Sequence, residues 1–333
     1  MEYNRLINGR PLVGLSPMAG YTDSPYRAIC RKLGADFVVT ELVSADGIIQ
    51  SYKAGERLGR TYELMAFGEG ERPVFVQLFG GEPTKIAEAA KIVVGEMNPD
   101  GIDINMGCPA HKVVCNGFGC ALLKNPALAA EVVRAAKKGS GLSVTVKTRV
   151  GWSDDTLIDQ FALAIEGAGA SMLALHGRTY EQGFSGVANW EPIYRIKRLV
   201  NMPVFGNGDI FSGADAVEKV RNLDGILIGR ASVGNPWIFA EVKRALGISS
   251  DIDIIEHEVS WPTKFAMLRY HAKLKQEQKG ERGLIEMRKF LPAYIKGLAG
   301  ASELRGQSNT ITSLADIDNF ITQIQAILHP RGV

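Results

Sequence analysis

With 333 residues the chain is long enough for one large domain or two ordinary ones. Hydrophobic residues make up 46% and charged residues 22%, the balance of a soluble globular protein, and no segment offers the roughly 20 consecutive apolar residues of a membrane helix. The formal net charge of +2 points to no class of partner for the chain as a whole.

The start, MEYNRLINGRPLVGLS, lacks an apolar core of signal-peptide length, so export is not expected. Short β-branched or apolar runs then recur: PLVGLSPM (11–18), ADFVVTELV (35–43), PVFVQLFG (73–80), GIDINMG (101–107), LSVTVKTRVG (142–151), SMLALHGRT (171–179), MPVFGNGDI (202–210) and GILIGRAS (225–232). Near-continuous hydrophobicity predicts strands covered on both faces, hence a parallel sheet. Ala-rich segments at 82–97, 125–139 and 155–169 predict helices between them. Eight such strands alternating with helices predict an α/β fold, a (β/α)8 TIM barrel over residues 1–243. An open doubly wound sheet would carry GxGxxG after its first strand, and that motif is missing.

Beyond about Trp261 only helical spacing is found, with Leu284, Met287, Leu291, Ile295 and Leu298 on one face. A smaller all-helical C-terminal domain over 244–333 is therefore expected, joined through ISSDIDIIEHEVSWP. Lys264 to Lys296 holds nine Lys/Arg against three Glu. Such a block is either a solvated helix face or a surface for an anionic polymer such as RNA.

In a barrel of this kind the active site lies at the carboxyl ends of the strands. Those ends carry Pro17-Met18-Ala19-Gly20, Glu41, Gln77, Asn105 with Cys108, Lys147 with Arg149, His176 with Arg178, Asn207-Gly208-Asp209, and Gly229-Arg230. Any one alone reads as a cap or an ion pair; their convergence on one rim reads as an enzyme. Glycines and Arg230 after the last two strands suit a phosphate. Gln77, Lys147 and His176 suit the edge of a flat heterocycle, a lysine there favouring an anionic reduced flavin. Position alone also allows a phosphosugar or pyridoxal phosphate.

Cys108, between Gly107 and Pro109, sits on a stiff turn, where a thiol can act as nucleophile or proton donor. Cys30 reads as structural, and Cys115 and Cys120 are given no role. The four cysteines form no CxxC pair, so no metal site is expected, and reduced thiols suit the cytoplasm.

Taken together, PMAGYTDSPYR, VQLFG, DINMGCPAHKV with GCALL, VKTRVGW, LHGRT, GNGDI, IGRASVGNPWIF and RKFLPAYIKGL resemble the tRNA-dihydrouridine synthases, closest to the bacterial B-type branch. The second strand departs from the family pattern, reading TEL where an SEM-like sequence is expected. The resemblance implies NADPH-dependent, FMN-mediated reduction of the C5–C6 double bond of uridine in tRNA, with Cys108 as proton donor. It implies that Pro17, Met18, Ala19, Gln77, Lys147, His176, Asn207, Gly208, Asp209, Gly229 and Arg230 hold the flavin. It gives Asn105, Arg149 and Arg178 to the substrate and tRNA to the basic helices, with no membrane and no obligate protein partner. Under that reading, Lys273→Glu with Lys275→Glu should weaken tRNA binding. A flavin barrel acting on free pyrimidines, or a non-catalytic RNA-binding barrel, are the competing expectations.

Overall fold

A computed structural model describes residues 9–248, 259–298, 304 and 306–328. Among them, nine strands form one sheet: β1 (Leu12–Leu15), β2 (Val38–Val39), β3 (Val43–Ser44), β4 (Val74–Phe79), β5 (Gly101–Met106), β6 (Val144–Arg149), β7 (Met172–His176), β8 (Val204–Asn207) and β9 (Gly225–Ile228). All pairings are parallel, in the order β2-β1-β9-β8-β7-β6-β5-β4-β3, and a β2–β4 pairing closes the ring. The result is the TIM barrel expected, with one stave divided into β2 and β3. Thr40 marks the division. Its Oγ1 accepts the Gln77 backbone N–H at 3.0 Å, a side chain standing in for a ladder carbonyl.

Each stave is followed by a helix: α1 (Ser24–Lys32), α2 (Ala45–Lys53), α3 (Pro83–Met97), α4 (Pro126–Ser140), α5 (Ile158–Gly167), α6 (Glu191–Leu199), α7 (Gly213–Val220) and α8 (Ile238–Ala245). Proline in the first turn starts α1, α3, α4 and α6, where its missing N–H costs nothing. The barrel interior is filled by Phe37, Phe75 and Phe205, with ring centroids 6.0 and 5.7 Å apart about Phe37. Gly14, Gly101 and Gly225 make room for them, since a Cβ at any of the three would lie 2.2 to 2.5 Å from one of these rings.

The C-terminal helices are α9 (Trp261–Lys279), α10 (Glu281–Met287), α11 (Leu291–Tyr294) and α12 (Leu314–Leu328). Leu284, Met287, Leu291, Ile295 and Leu298 are all buried, but they are divided between α10, α11 and the turn after α11 and do not form the single helical face expected. The expected boundary at 243/244 falls inside α8, and most of the expected linker (249–258) lies outside the described residues.

These helices dock tightly on the barrel. Phe290 packs against Tyr21, Tyr26 and His271, and the Tyr26 hydroxyl donates to the Ser232 carbonyl. At Gly234 (φ +72°) a Cβ would lie 2.4 Å from the Ala293 backbone, so only glycine permits this approach of loop to helix.

Beneath this contact lies a buried charge cluster. Lys275, fully buried, places its Nζ 2.8 Å from Asp23 and 3.1 Å from Glu286. The Nζ of Lys279 lies 2.7 Å from each of the same two carboxylates. Lys275 and Lys279 thus belong to the interior, which corrects the reading of the whole basic block as an RNA surface. Arg269 is paired with Asp318, and Arg282 with Glu63. Only part of the block faces outward unpaired.

Candidate active site

The strand ends open into a cavity of about 1530 Å³ walled on its far side by the C-terminal helices. Pro17, Met18, Ala19, Gln77, Asn105, Cys108, Lys147, Arg149, His176, Asn207, Gly208, Asp209, Gly229 and Arg230 all line it. A drug-sized ligand occupies a pocket of roughly 300–1,000 Å³, so this cavity has room for a mononucleotide and a second ring.

The floor is a directed chain of hydrogen bonds. Asp103, buried in β5, accepts from Thr145 Oγ1 at 2.5 Å and from Gln77 Nε2 at 2.7 Å. Gln77 Oε1 accepts from Asn105 Nδ2 at 2.9 Å, and Asn105 Oδ1 accepts from the backbone N–H groups of Gly107 (3.2 Å) and Cys108 (2.8 Å). Because a carboxylate only accepts, the Asp103 contact fixes which way the Gln77 amide points, and that in turn fixes Asn105. Each amide keeps one further N–H to offer a ligand carbonyl. Burial pushes the Asp103 carboxyl up to about 6, against the pull of Thr145 and Gln77. The sequence carried a signal for this residue, an acid in the middle of an apolar strand.

Lys147 stands beside this chain. Burial and then the Arg149 charge bring its ammonium down to about 8, with Asp103 opposing. Burial, followed by the charges of Lys147, Arg149, Arg178 and Arg230, pushes His176 down to about 2, so its imidazole is neutral at ordinary pH. It offers hydrogen bonds without charge.

Cys108 is half-buried at the rim of the chain. Its turn is held by Asn105 and by the Cys120 N–H, which donates to the Cys108 carbonyl at 3.2 Å. Cys120 is buried, its thiol raised to about 12 by burial, and Cys115 is exposed on the surface.

Two arginines expected at the substrate are engaged by protein groups. Arg178 does not line the cavity. It forks onto Asp209, with Nη1 and Nη2 at 2.9 and 2.8 Å from its two oxygens, and onto the Ser185 and Gly186 carbonyls. Its donors brace the loop after β7, where the resemblance implies a contact to substrate. Arg149 does line the cavity, yet it donates to the carbonyls of Gly107, Thr179 and Gly183 and so ties that same loop to the Cys108 turn.

Asp209 (φ +51°) is engaged by Arg178 and the Ala188 N–H, with Arg230 at 3.4 Å. The residues around it suit a phosphate. Among the described residues, the backbone N–H groups of Gly208, Gly229 and Arg230 have no protein acceptor. A Cβ on Gly229 would sit in ordinary contact with Met18 Sδ at 3.6 Å and Ser16 Cβ at 3.7 Å. Arg230 is about half exposed and able to add its fork. A phosphorylated flat ring therefore fits the donor set: anion donors at the ends of β8 and β9, amide N–H groups and Lys147 along the floor.

Four lining residues were not expected from sequence: Tyr21, Leu42, Phe184 and Phe211, which come from loops where strand-end logic gives no guide.

The likeness to known proteins covers almost the whole chain. A family model described as "Dihydrouridine synthase (Dus)" matches residues 14–329. The "tRNA-dihydrouridine synthase B" of Pseudomonas aeruginosa is 39% identical over 336 residues, covering 97% of this chain and 94% of that protein. The "Probable tRNA-dihydrouridine synthase" of Aquifex aeolicus is 36% identical over 301 residues, covering 87% and 89%. Among solved structures, a 2-naphthoyl-CoA reductase complex aligns with TM-score 0.53 at 10% identity, over 72% of this chain and 50% of that one. Histamine dehydrogenase from Rhizobium sp. 4-9 aligns with TM-score 0.51 at 14% identity, over 71% and 46%. Likeness at such low identity shows the barrel alone, whereas the sequence match runs through both barrel and helices. On that match the chain belongs to the dihydrouridine synthase family.

Proposed function

We propose that this protein is a cytoplasmic tRNA-dihydrouridine synthase that reduces the C5–C6 double bond of uridine, with FMN as cofactor, NADPH as electron donor and Cys108 as proton donor. The chemistry a bound FMN supplies is hydride delivery to C6 of the uracil. Cys108 gives its proton to C5, so that one hydride and one proton saturate the bond. Gln77, Lys147 and His176 hold the ring, Asn207, Gly208, Gly229 and Arg230 the phosphate, and Asn105 the uracil edge. The observation that carries this reading is the position of Cys108: its turn is bonded to Asn105, and through Gln77 to Asp103, on the floor of one cavity large enough for two stacked rings. The direct test is dihydrouridine formation on an unmodified tRNA transcript by the flavin-loaded protein with NADPH. No product under conditions where NADPH reduces the flavin overturns it.

The RNA surface is reassigned to the lysines that line the cavity from the helical side, Lys264, Lys289 and Lys296. None of the three has a carboxylate partner among the described residues. Lys264→Glu with Lys296→Glu is expected to weaken tRNA binding and to lower the slope of log affinity against log salt by about 1 per lysine. An unchanged slope moves the phosphate contacts elsewhere.

Asp103 is a positioning residue in this scheme. Asp103→Leu leaves the Gln77 amide without its acceptor and is expected to lower kcat/KM by about 10- to 100-fold. Asp103→Asn keeps an acceptor for Gln77 but removes a negative charge that supports the Lys147 ammonium. Its rate is expected to stay close to wild type at neutral pH, while the alkaline limb set by Lys147 moves below about 8. A limb that does not move separates Asp103 from Lys147.

A further inference from the structure

Phe184 is a large apolar side chain left 62% exposed, on the loop after β7, where it lines the cavity. It is not loose there. Its ring has the Arg149 guanidinium carbon 5.5 Å from its centroid and that of Arg230 at 5.4 Å. The preceding carbonyl, Gly183, accepts from Arg149 Nη1 at 2.7 Å, and the same guanidinium donates to the Gly107 carbonyl beside Cys108. One arginine thus fixes both the acid turn and the exposed ring. Phe211, on the loop after β8, is 57% exposed and also lines the cavity.

The same opening is also lined by Lys264, Lys289 and Lys296. Aromatic rings and cationic side chains on one opening are the combination that holds single-stranded nucleic acid, bases stacked on the rings and phosphates against the ammonium groups. A uridine drawn down to Cys108 leaves its chain neighbours at this mouth, unstacked from it. We propose that Phe184, with Phe211 on the next loop, is the stacking platform for a nucleotide flanking the target uridine. The platform recompenses part of the stacking lost when the uridine leaves its neighbours. A phenyl face stacks with any base, so it adds affinity without selecting sequence.

This proposal rests on the tRNA reading above. Because Phe184 is mostly exposed, Phe184→Ala should fold as wild type, which thermal melting checks. It is expected to raise KM for an unmodified tRNA transcript about tenfold with kcat within about twofold, and Phe184→Trp should restore KM. A transcript with an abasic nucleotide 5′ or 3′ of the modified uridine should bind wild type about tenfold more weakly on one of those two sides. Phe184→Ala should add nothing to that loss. If wild type binds the transcript and Phe184→Ala binds it equally well, the stacking platform is overturned and the substrate reading stands. If wild type itself does not bind the transcript, both fall together.

Discussion

Replacing Cys108 with alanine is expected to lower dihydrouridine formation on tRNA by about 10²- to 10⁴-fold, the usual worth of a positioned proton donor, while the protein still folds and takes up flavin. The turn survives because nothing that holds it involves the thiol. Asn105 Oδ1 binds the backbone N–H groups of Gly107 and Cys108, the Cys120 N–H binds the Cys108 carbonyl, and the Pro109 ring stiffens the backbone on the far side of the cysteine. What is lost is the sulfur and its proton. Cys115→Ala, on the exposed surface, should leave the rate unchanged, and Cys120 is buried with a thiol too weakly acidic to substitute. Quantifying dihydrouridine by mass spectrometry, alongside reduction of the flavin by NADPH, separates proton donation from cofactor binding. A Cys108→Ala enzyme working at near wild-type rate would remove the thiol from the reaction.

The barrel was legible because burial on both faces leaves a plain trace, eight apolar runs, and because the chemistry lies where each run stops. The split of the second stave was not legible. It depends on Thr40 answering the Gln77 N–H, a contact between staves that periodicity does not encode. The part played by Arg178 was hidden for the same reason: Asp209, its partner, lies 31 residues further along the chain. From the motif alone, an arginine at a strand end reads equally as ligand or brace. The cavity wall formed by α11 was invisible because it arises from docking, through Gly234 against Ala293, and not from any strand end. Charge counting along α9 went furthest astray, although the register held the warning. Phe265, Leu268, Ala272 and Lys275 fall on one helical face, and the first three are buried. A lysine in line with a buried stripe belongs to the interior.

That placement sets the last expectation. Lys275→Glu should destabilise the protein by about 3–5 kcal/mol or prevent folding, whereas Lys273→Glu, whose lysine is exposed, should stay within about 0.5 kcal/mol of wild type. A glutamate at 275 adds a carboxylate beside Asp23 and Glu286 and leaves Lys279 as the close cation, Arg60 and Arg282 reaching Glu286 only at 4.0 Å. Burial would raise the Asp23 carboxyl, but Lys275 and Lys279 more than reverse this and hold it well below the usual carboxylate range. A depressed native value means stability that is complete above the unfolded value of about 3.9 and lost as pH falls through the native one. Lys275→Met should therefore lose most relative to wild type above about pH 4 and converge with it in stronger acid. Adding Asp23→Asn should recover part of the loss by removing the stranded charge. Denaturant midpoints across pH measure all of these. Asp23 belongs to the loop that carries Met18 and Ala19 to the cavity, so a loosened cluster should also weaken flavin retention. A Lys275→Glu protein with a wild-type midpoint and weakened tRNA affinity would return this lysine to the surface.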